Sequence, residues 1–549
     1  MASMKLKHLA IVGLSWSLVP VAWAGDLESI LDEGSKATKT LQAPAEAGKT
    51  TLLAQAMKKI IGTPKSEQSI FLRYLEASDW EKATLQFPNA FEGTAFQKSA
   101  NGRALFGYIQ FQAGLPVTGV QTLFMAANPR EINTMLREEW QKVAPADHFV
   151  WSLAQVQWQS AWEVIFGEII PLRLKIMEAF VSEKNSEKNS EKNSEKNIDQ
   201  LQKLSSMAPA NSKEKAQIDW QLVIAYSLSD QTDRAAKLLA NLMKSPYVTV
   251  SKDLMQITAA RLLFQGGYFD TSLKYYGKVS KTSDYWTEAQ EEMGWAYIRK
   301  GETGNAMAVS QSLVNSGLNF QVSPEAFFVR ALSLLKVCDY SGVTETLQNF
   351  PKRFKERTKT LEALSADPAN QDVDKGIALL KTKKIEVQEL GKTAQNLPRR
   401  FAHDDRLYQF AQVQKHLEDE AQAAEKLYAK SLSLTGLQGS FEKLKQNTLQ
   451  RAQMAKTSAY SRVKELAKEE VLETKEILHK LHIVEAEVIQ QVSLADKIAK
   501  NAQGNDEKKG STGYKGTANA VKFPAEDEVW FDELSNYRID VKKACTVKK

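Results

Sequence analysis

The sequence predicts an all-α protein, an α-solenoid of helical hairpins followed by long coiled-coil-like helices. Three observations carry that expectation. Strand signals are scarce, and Gln, Lys, Glu, Leu and Ala dominate with apolar residues at helical spacing. Gly267 and Gly301 lie 34 residues apart inside a shared pattern of small and aromatic positions. Between Val463 and Ile498 apolar residues alternate in steps of three and four.

The chain has 549 residues, 43% of them apolar and 25% charged, enough for more than one folding unit. Residues 1–24 read as a secretory signal. Lys5 and Lys7 form a basic start, Leu9 to Val19 a short apolar stretch, and Ala22-Trp23-Ala24 fits small-residue cleavage. No cysteine lies near the cut, and no later stretch has the roughly 18 apolar residues of a span, so a soluble exported chain is expected. An uncleaved N-terminal anchor is the competing reading. Removing the segment leaves a net charge of +4, which argues against nucleic acid as a partner. Short basic runs such as Lys352-Arg353-Phe354-Lys355 read as solvated helix ends rather than a phosphate track.

Residues 25–64 form a helical lead-in. Gly48-Lys49-Thr50-Thr51 looks like the end of a phosphate loop, but Ala43 stands where the first glycine is needed and no strand precedes it. No cofactor is expected. Residues 65–181 read as a first array of helix pairs, with Tyr74, Trp80 and Ala83 followed 36 residues on by Gly107, Gly114 and Gly119. Trp140, Trp151, Trp158 and Trp162 crowd its end; core packing is the favoured reading, an aromatic contact surface the other. Residues 182–198 hold four copies of Ser-Glu-Lys-Asn, which can bury no core and read as a solvated spacer.

Residues 199–350 carry the clear repeats. Ala260 and Gly294 are small, so helix A can approach its neighbour. Leu263 and Tyr297, three positions on, fill the gap. Gly267 and Gly301 turn the chain, and Ser272 and Ala306 sit where helix B crosses helix A. Tyr226, Asp230 and Ala235 precede this pair by 37 residues, and Ala331, Leu334, Cys338, Tyr340 and Val343 follow it by 37. These spacings resemble the tetratricopeptide (TPR) repeat superfamily over about 65–130 and 210–350, although most units lack its full set of positions. The resemblance implies stacked helix-turn-helix units offering a protein-binding surface.

Residues 351–500 read as a long-helix module. A break falls near Asp367-Pro368, and 404–434 looks like one more worn hairpin with Ala411 and Ala423 in the small slots. The seam then runs through Val463, Ala467, Ile477, Leu481, Val484, Val488, Ala495 and Ile498, with polar slots at Glu470, Thr474 and Gln491. It either folds back on its own neighbours or pairs with another chain, so self-association through 460–500 stays open. Glu476, His479, His482 and Glu485 are spaced by three and drift around the helix, so no metal site is expected there.

Residues 501–521 are a Gly-rich linker. Residues 522–549 form an acidic tail whose Trp530, Phe531, Leu534, Tyr537 and Ile539 suggest docking on the solenoid. Cys338 and Cys545 are the two cysteines of the chain. A bond between them would pin the tail and close a loop of more than 200 residues, for about 5 kcal/mol in the chain-entropy model. Two independent thiols, or Cys545 bridging to a partner, are the other readings.

No catalytic motif of the Gly-x-Ser-x-Gly, His-Glu-x-x-His or Cys-x-x-Cys kind occurs. The expectation is a non-enzymatic, periplasmic or secreted scaffold that binds envelope proteins. Signal, worn repeats, long helices and tail also look like accessory TPR proteins of envelope machines for motility, secretion or outer-membrane assembly. The alternative is a peptidoglycan-binding protein or wall-lytic enzyme built on a helical solenoid, which would place a catalytic Glu in an apolar-walled pocket.

Overall fold

A computed structural model describes residues 52–501 except 145–148, 151, 153–158, 168–169, 175–191, 316–320 and 435. Among the described residues every regular element is helical. The signal segment, the Gly48-Lys49-Thr50-Thr51 stretch, Trp151, Trp158, the linker and the tail with Trp530, Phe531, Leu534, Tyr537, Ile539 and Cys545 lie outside them. The chain divides into two compact units, 52–218 with 405–459 and 219–404 with 460–501.

In the first unit, α1 (Leu52–Ile61), α2 (Ser66–Glu76), α3 (Trp80–Phe91), α4 (Ala100–Gln112), α5 (Pro116–Phe124) and α6 (Thr134–Val143) form successive hairpins. Phe71, Phe87, Phe91 and Phe106 fill their core, with Phe87 stacked on Phe106 at 4.4 Å. Trp140 is fully buried, and its indole N–H donates to the Ala104 carbonyl at 3.0 Å. Trp162 is buried in the same core. The described tryptophans of the cluster are therefore packing residues.

After 191 come α7 (Lys192–Met207), α8 (Lys213–Leu228) and α9 (Thr232–Leu242). α7 starts inside the third Ser-Glu-Lys-Asn copy and takes in the fourth, so the expected spacer gives way to helix before residue 198. Glu and Lys favour helix once Ile198, Leu201 and Leu204 supply a buried face downstream.

The second unit holds α10 (Lys252–Gln265), α11 (Phe269–Tyr276), α12 (Trp286–Lys300), α13 (Thr303–Asn315), α14 (Glu325–Lys336), α15 (Tyr340–Ala366) and α16 (Gln371–Leu380). The expected repeat residues pack as their sizes require. Ala260 and Ala306 are fully buried, and a Cβ on Gly294 would stand 2.9 Å from Val329. Tyr297 packs beside Val309 and Leu313. The Ser272 hydroxyl donates to the Ala260 carbonyl at 2.8 Å, where helix B crosses helix A.

One turn recurs through both units. Ser78, Gly114, Asp230, Gly267, Gly301 and Cys338 all have positive φ, between 54° and 87°. The amide after each donates five residues back: Asp79 to Tyr74, Leu115 to Gln110, Gln231 to Tyr226, Tyr268 to Leu263, Glu302 to Tyr297 and Asp339 to Leu334. This is the Schellman closure of helix A. Gly114, Gly267 and Gly301 adopt it without strain, whereas Ser78, Asp230 and Cys338 bring a Cβ into a left-handed conformation.

Two elements differ from expectation. α15 runs on through Pro351, past residue 350 where the repeats were expected to end. Proline removes one helical hydrogen bond, but Phe350 and Phe354 beside it are held against Phe327 at 5.5 and 5.6 Å. The stretch 404–434 is no hairpin but a single helix, α17 (Asp405–Ser431). It contains neither Gly nor Pro to turn it, and strong helix formers fill its centre. The last helix, α18 (Gln438–Asn501), is 64 residues long. Its residues 438–459 belong to the first unit and 460–501 to the second.

In the first unit, α17 and the start of α18 close the hairpins through Leu85, Leu115, Leu427 and Phe441. The buried Glu420 carboxylate accepts from the Val117 and Thr118 amides at 3.2 and 3.0 Å, and from the Thr118 hydroxyl at 2.7 Å. A helix 300 residues downstream thus caps the N-terminus of α5.

Three variants test this packing. A Cβ at Gly119 would stand 2.4 Å from the Gly107 carbonyl oxygen, so Gly119→Ala should destabilise the protein by about 3 kcal/mol in urea unfolding. Ser78→Gly, at an exposed left-handed position, should stabilise it by about 0.5–1 kcal/mol. Glu420→Ala strands two amides and should cost on the order of 3 kcal/mol. A neutral Gly119→Ala would show that α4 and α5 do not approach backbone to backbone.

Candidate functional site

The second unit's surface for binding helices is already occupied by a helix of its own. The seam residues Ile477, Leu481, Val484 and Val488 of α18 are buried against Phe327, Ala331 and Leu334 of α14 and Val343, Phe350 and Phe354 of α15. Val463 and Ala467 are also fully buried. Of the two readings left open for the seam, it folds back on neighbours of its own chain. Ala495 and Ile498 lie outside the residues whose side chains are described.

The polar slots of the seam hold the register. Glu470 is buried and accepts from Arg357 Nε at 2.6 Å and from the Arg399 amide at 2.7 Å. The Arg399 guanidinium reaches Glu473 at 2.9 Å, and Arg357 also donates to the Gln395 and Leu397 carbonyls. Below them Arg462 clasps Asp404 at 2.7 Å, both side chains buried. The Thr474 hydroxyl donates to the Glu470 carbonyl. Burial works against the Glu470 carboxylate, but Arg357 and Arg399 outweigh it and hold its pKa below the ordinary range.

A second acidic layer lies on α12 and α14. Arg261 binds Glu292 through Nε at 2.9 Å and Glu288 through a terminal nitrogen at 2.6 Å. Glu291 accepts from the Ser323 amide and hydroxyl at 2.6 and 2.7 Å. Burial pushes the Glu291 carboxyl up to about 8, although Arg399 and Ser323 pull against it. Burial, with Glu473 and Glu292 nearby, pushes Glu325 up to about 7. Both Glu291 oxygens are taken by Ser323, which makes this carboxyl a packing group within the repeat stack.

Cys338 sits in the left-handed turn between α14 and α15. Its expected partner Cys545 is outside the described residues. His479 and His482 are exposed, and no cluster of metal-ligating side chains forms among the described residues. No described helix is long and apolar enough to cross a membrane. The sequence reading missed the Arg357–Glu470–Arg399 clamp. The polar residue interrupting the seam at Glu470 was its visible trace, but the arginines lie 113 and 71 residues away.

A family model described as Tetratricopeptide repeat protein 21 ARM repeat matches residues 155–305. The match spans α7 to α12 and enters α13. The chain is similar to that helical-repeat type over this stretch. No curated protein matches the chain.

The carboxyl shifts have a signed consequence. Glu291 and Glu325 bind their protons more tightly folded than unfolded, so their stabilising contribution is full below pH about 4.5 and is lost as pH rises towards 8. The urea midpoint should fall from pH 5 to pH 8, and Glu291→Gln should flatten that fall. An unchanged slope in the variant would show that Glu291 titrates at its ordinary value when folded.

Proposed function

We propose that this chain is an exported scaffold that binds protein partners within a bacterial cell-envelope complex, of the kind serving motility, secretion or outer-membrane assembly. The observation that carries the scaffold reading is the run of stacked helix pairs joined by one repeated turn. Such arrays present continuous side-chain surfaces for protein binding. Export rests on the basic-apolar start and the Ala22-Trp23-Ala24 site, and a periplasmic or secreted location follows from it. The tail docks in cis on the solenoid, pinned by a Cys338–Cys545 disulfide suited to an oxidising compartment. The wall-lytic alternative calls for a carboxyl of raised pKa facing an apolar pocket. Of the two carboxyls pushed up most, Glu291 is buried and committed to Ser323, which counts against it in that role.

The test uses the protein from its own host. Its N-terminus should read Gly25, it should fractionate with the periplasm or medium, and a non-reducing peptide map should join Cys338 to Cys545. A mature chain starting at Met1 in the cytoplasm, with both thiols alkylatable, would contradict export and the pinned tail. Removing 501–549 should change the set of envelope proteins that co-purify. An unchanged set would show that the tail does not control partner access.

A further inference from the structure

The side of α18 opposite its seam carries a second pattern. At 100° per residue, Lys468, Leu472, Lys475, His479, Ile483 and Ile489 fall within about 120° of arc. Leu472, Ile483 and Ile489 are 55%, 58% and 64% exposed. A helix side that only met water would have no use for three large aliphatics interleaved with lysines. Lys468 makes no ion pair among the described residues, and Lys475 reaches Glu362 at 2.7 Å while its own side chain stays largely exposed.

The geometry points to this basic-apolar side of α18 as the receptor for the chain's own residues 522–549, held in cis. The inference rests on the cis-docking reading above and names the surface it uses. Three arguments select it. The apolar surface of α14 and α15 already holds Ile477, Leu481, Val484 and Val488, so it has no room for a further helix. The stretch 526–533 of the tail is complementary in charge, with Glu526, Asp527, Glu528, Asp532 and Glu533 around Trp530 and Phe531, while the basic residues of 522–549 lie outside it. Trp530, Leu534 and Tyr537 stand at i, i+4 and i+7, the spacing by which an amphipathic segment anchors on an apolar stripe.

Connectivity agrees. Residues 502–521 are 20 in number, and a flexible chain of that length would span roughly 25 Å. Ile483 lies about 27 Å back along α18 from Asn501. Leu334, Val337 and Tyr340 around the Cys338 turn belong to the same cluster as Leu481, Val484 and Val488. A tail that leaves α18 at Asn501 and ends bonded at Cys338 is tethered at both ends beside this stretch.

Zero-length carbodiimide coupling of the full, non-reduced chain tests the assignment, with the monomer band mapped by peptide mass. Bonds from the tail carboxylates to Lys468 or Lys475 are expected. They should be lost in Ile483→Glu/Ile489→Glu, which alters exposed positions and should leave the far-ultraviolet dichroism unchanged. Tail coupling confined to other lysines, with Cys338–Cys545 intact, would overturn this surface and leave cis docking standing. No coupling at all, with both thiols free, would overturn both. Coupling found only in a dimer band would assign the surface to a second copy's tail and overturn the cis arrangement. Bonds to Lys468 that persist in the double variant would show that the aliphatic stripe does not hold the tail.

Discussion

The second unit depends on how α18 is seated. Its apolar seam supplies the driving force by removing Ile477, Leu481, Val484 and Val488 from water. An apolar seam alone tolerates sliding by a turn. Glu470, buried between Arg357 and Arg399, does not. Moving the helix by one turn would leave a carboxylate and two guanidinium groups uncompensated in the interior, which costs several kcal/mol. Arg462 with Asp404 repeats the device lower on the same helix. These pairs act chiefly on register, since buried ion pairs add little net stability over apolar packing.

The same logic closes the first unit. Its hairpins pack through phenylalanines and Trp140, and a late helix supplies what they lack. Glu420 satisfies the first amides of α5, which no residue of that hairpin reaches. Each unit thus joins early repeats to a segment from beyond residue 404. The helical stack of the second unit is consequently not an empty receptor. Part of the surface that stacked helices offer to partners is filled by the chain itself, and the sides left exposed become the relevant ones for binding.

Much of the fold was legible. The turn positions were visible at Gly267 and Gly301 because only glycine enters the left-handed region without strain. Ser78, Asp230 and Cys338 hold the same conformation, and the 34-to-37-residue step could find them although residue type could not. The α18 seam was legible from its three-four spacing, but not the surface it meets, because apolar periodicity records burial and not the identity of the partner. The 404–434 stretch misled because Ala411 and Ala423 occupy small-residue positions without a turn between them. Ala423 is small for another reason: it faces Gly114, where a Cβ would come within 3.2 Å. The charged clamp was out of reach, since its members meet only in the folded chain.

The central claim is that α18 is seated on the repeats of its own chain. Amide hydrogen exchange across residues 463–488, followed at high and at low protein concentration, tests it most directly. Slow exchange that does not change on dilution, and that Leu481→Asp abolishes, is the predicted result. Protection that disappears on dilution would mean that the seam is buried against a second chain, and would contradict the account.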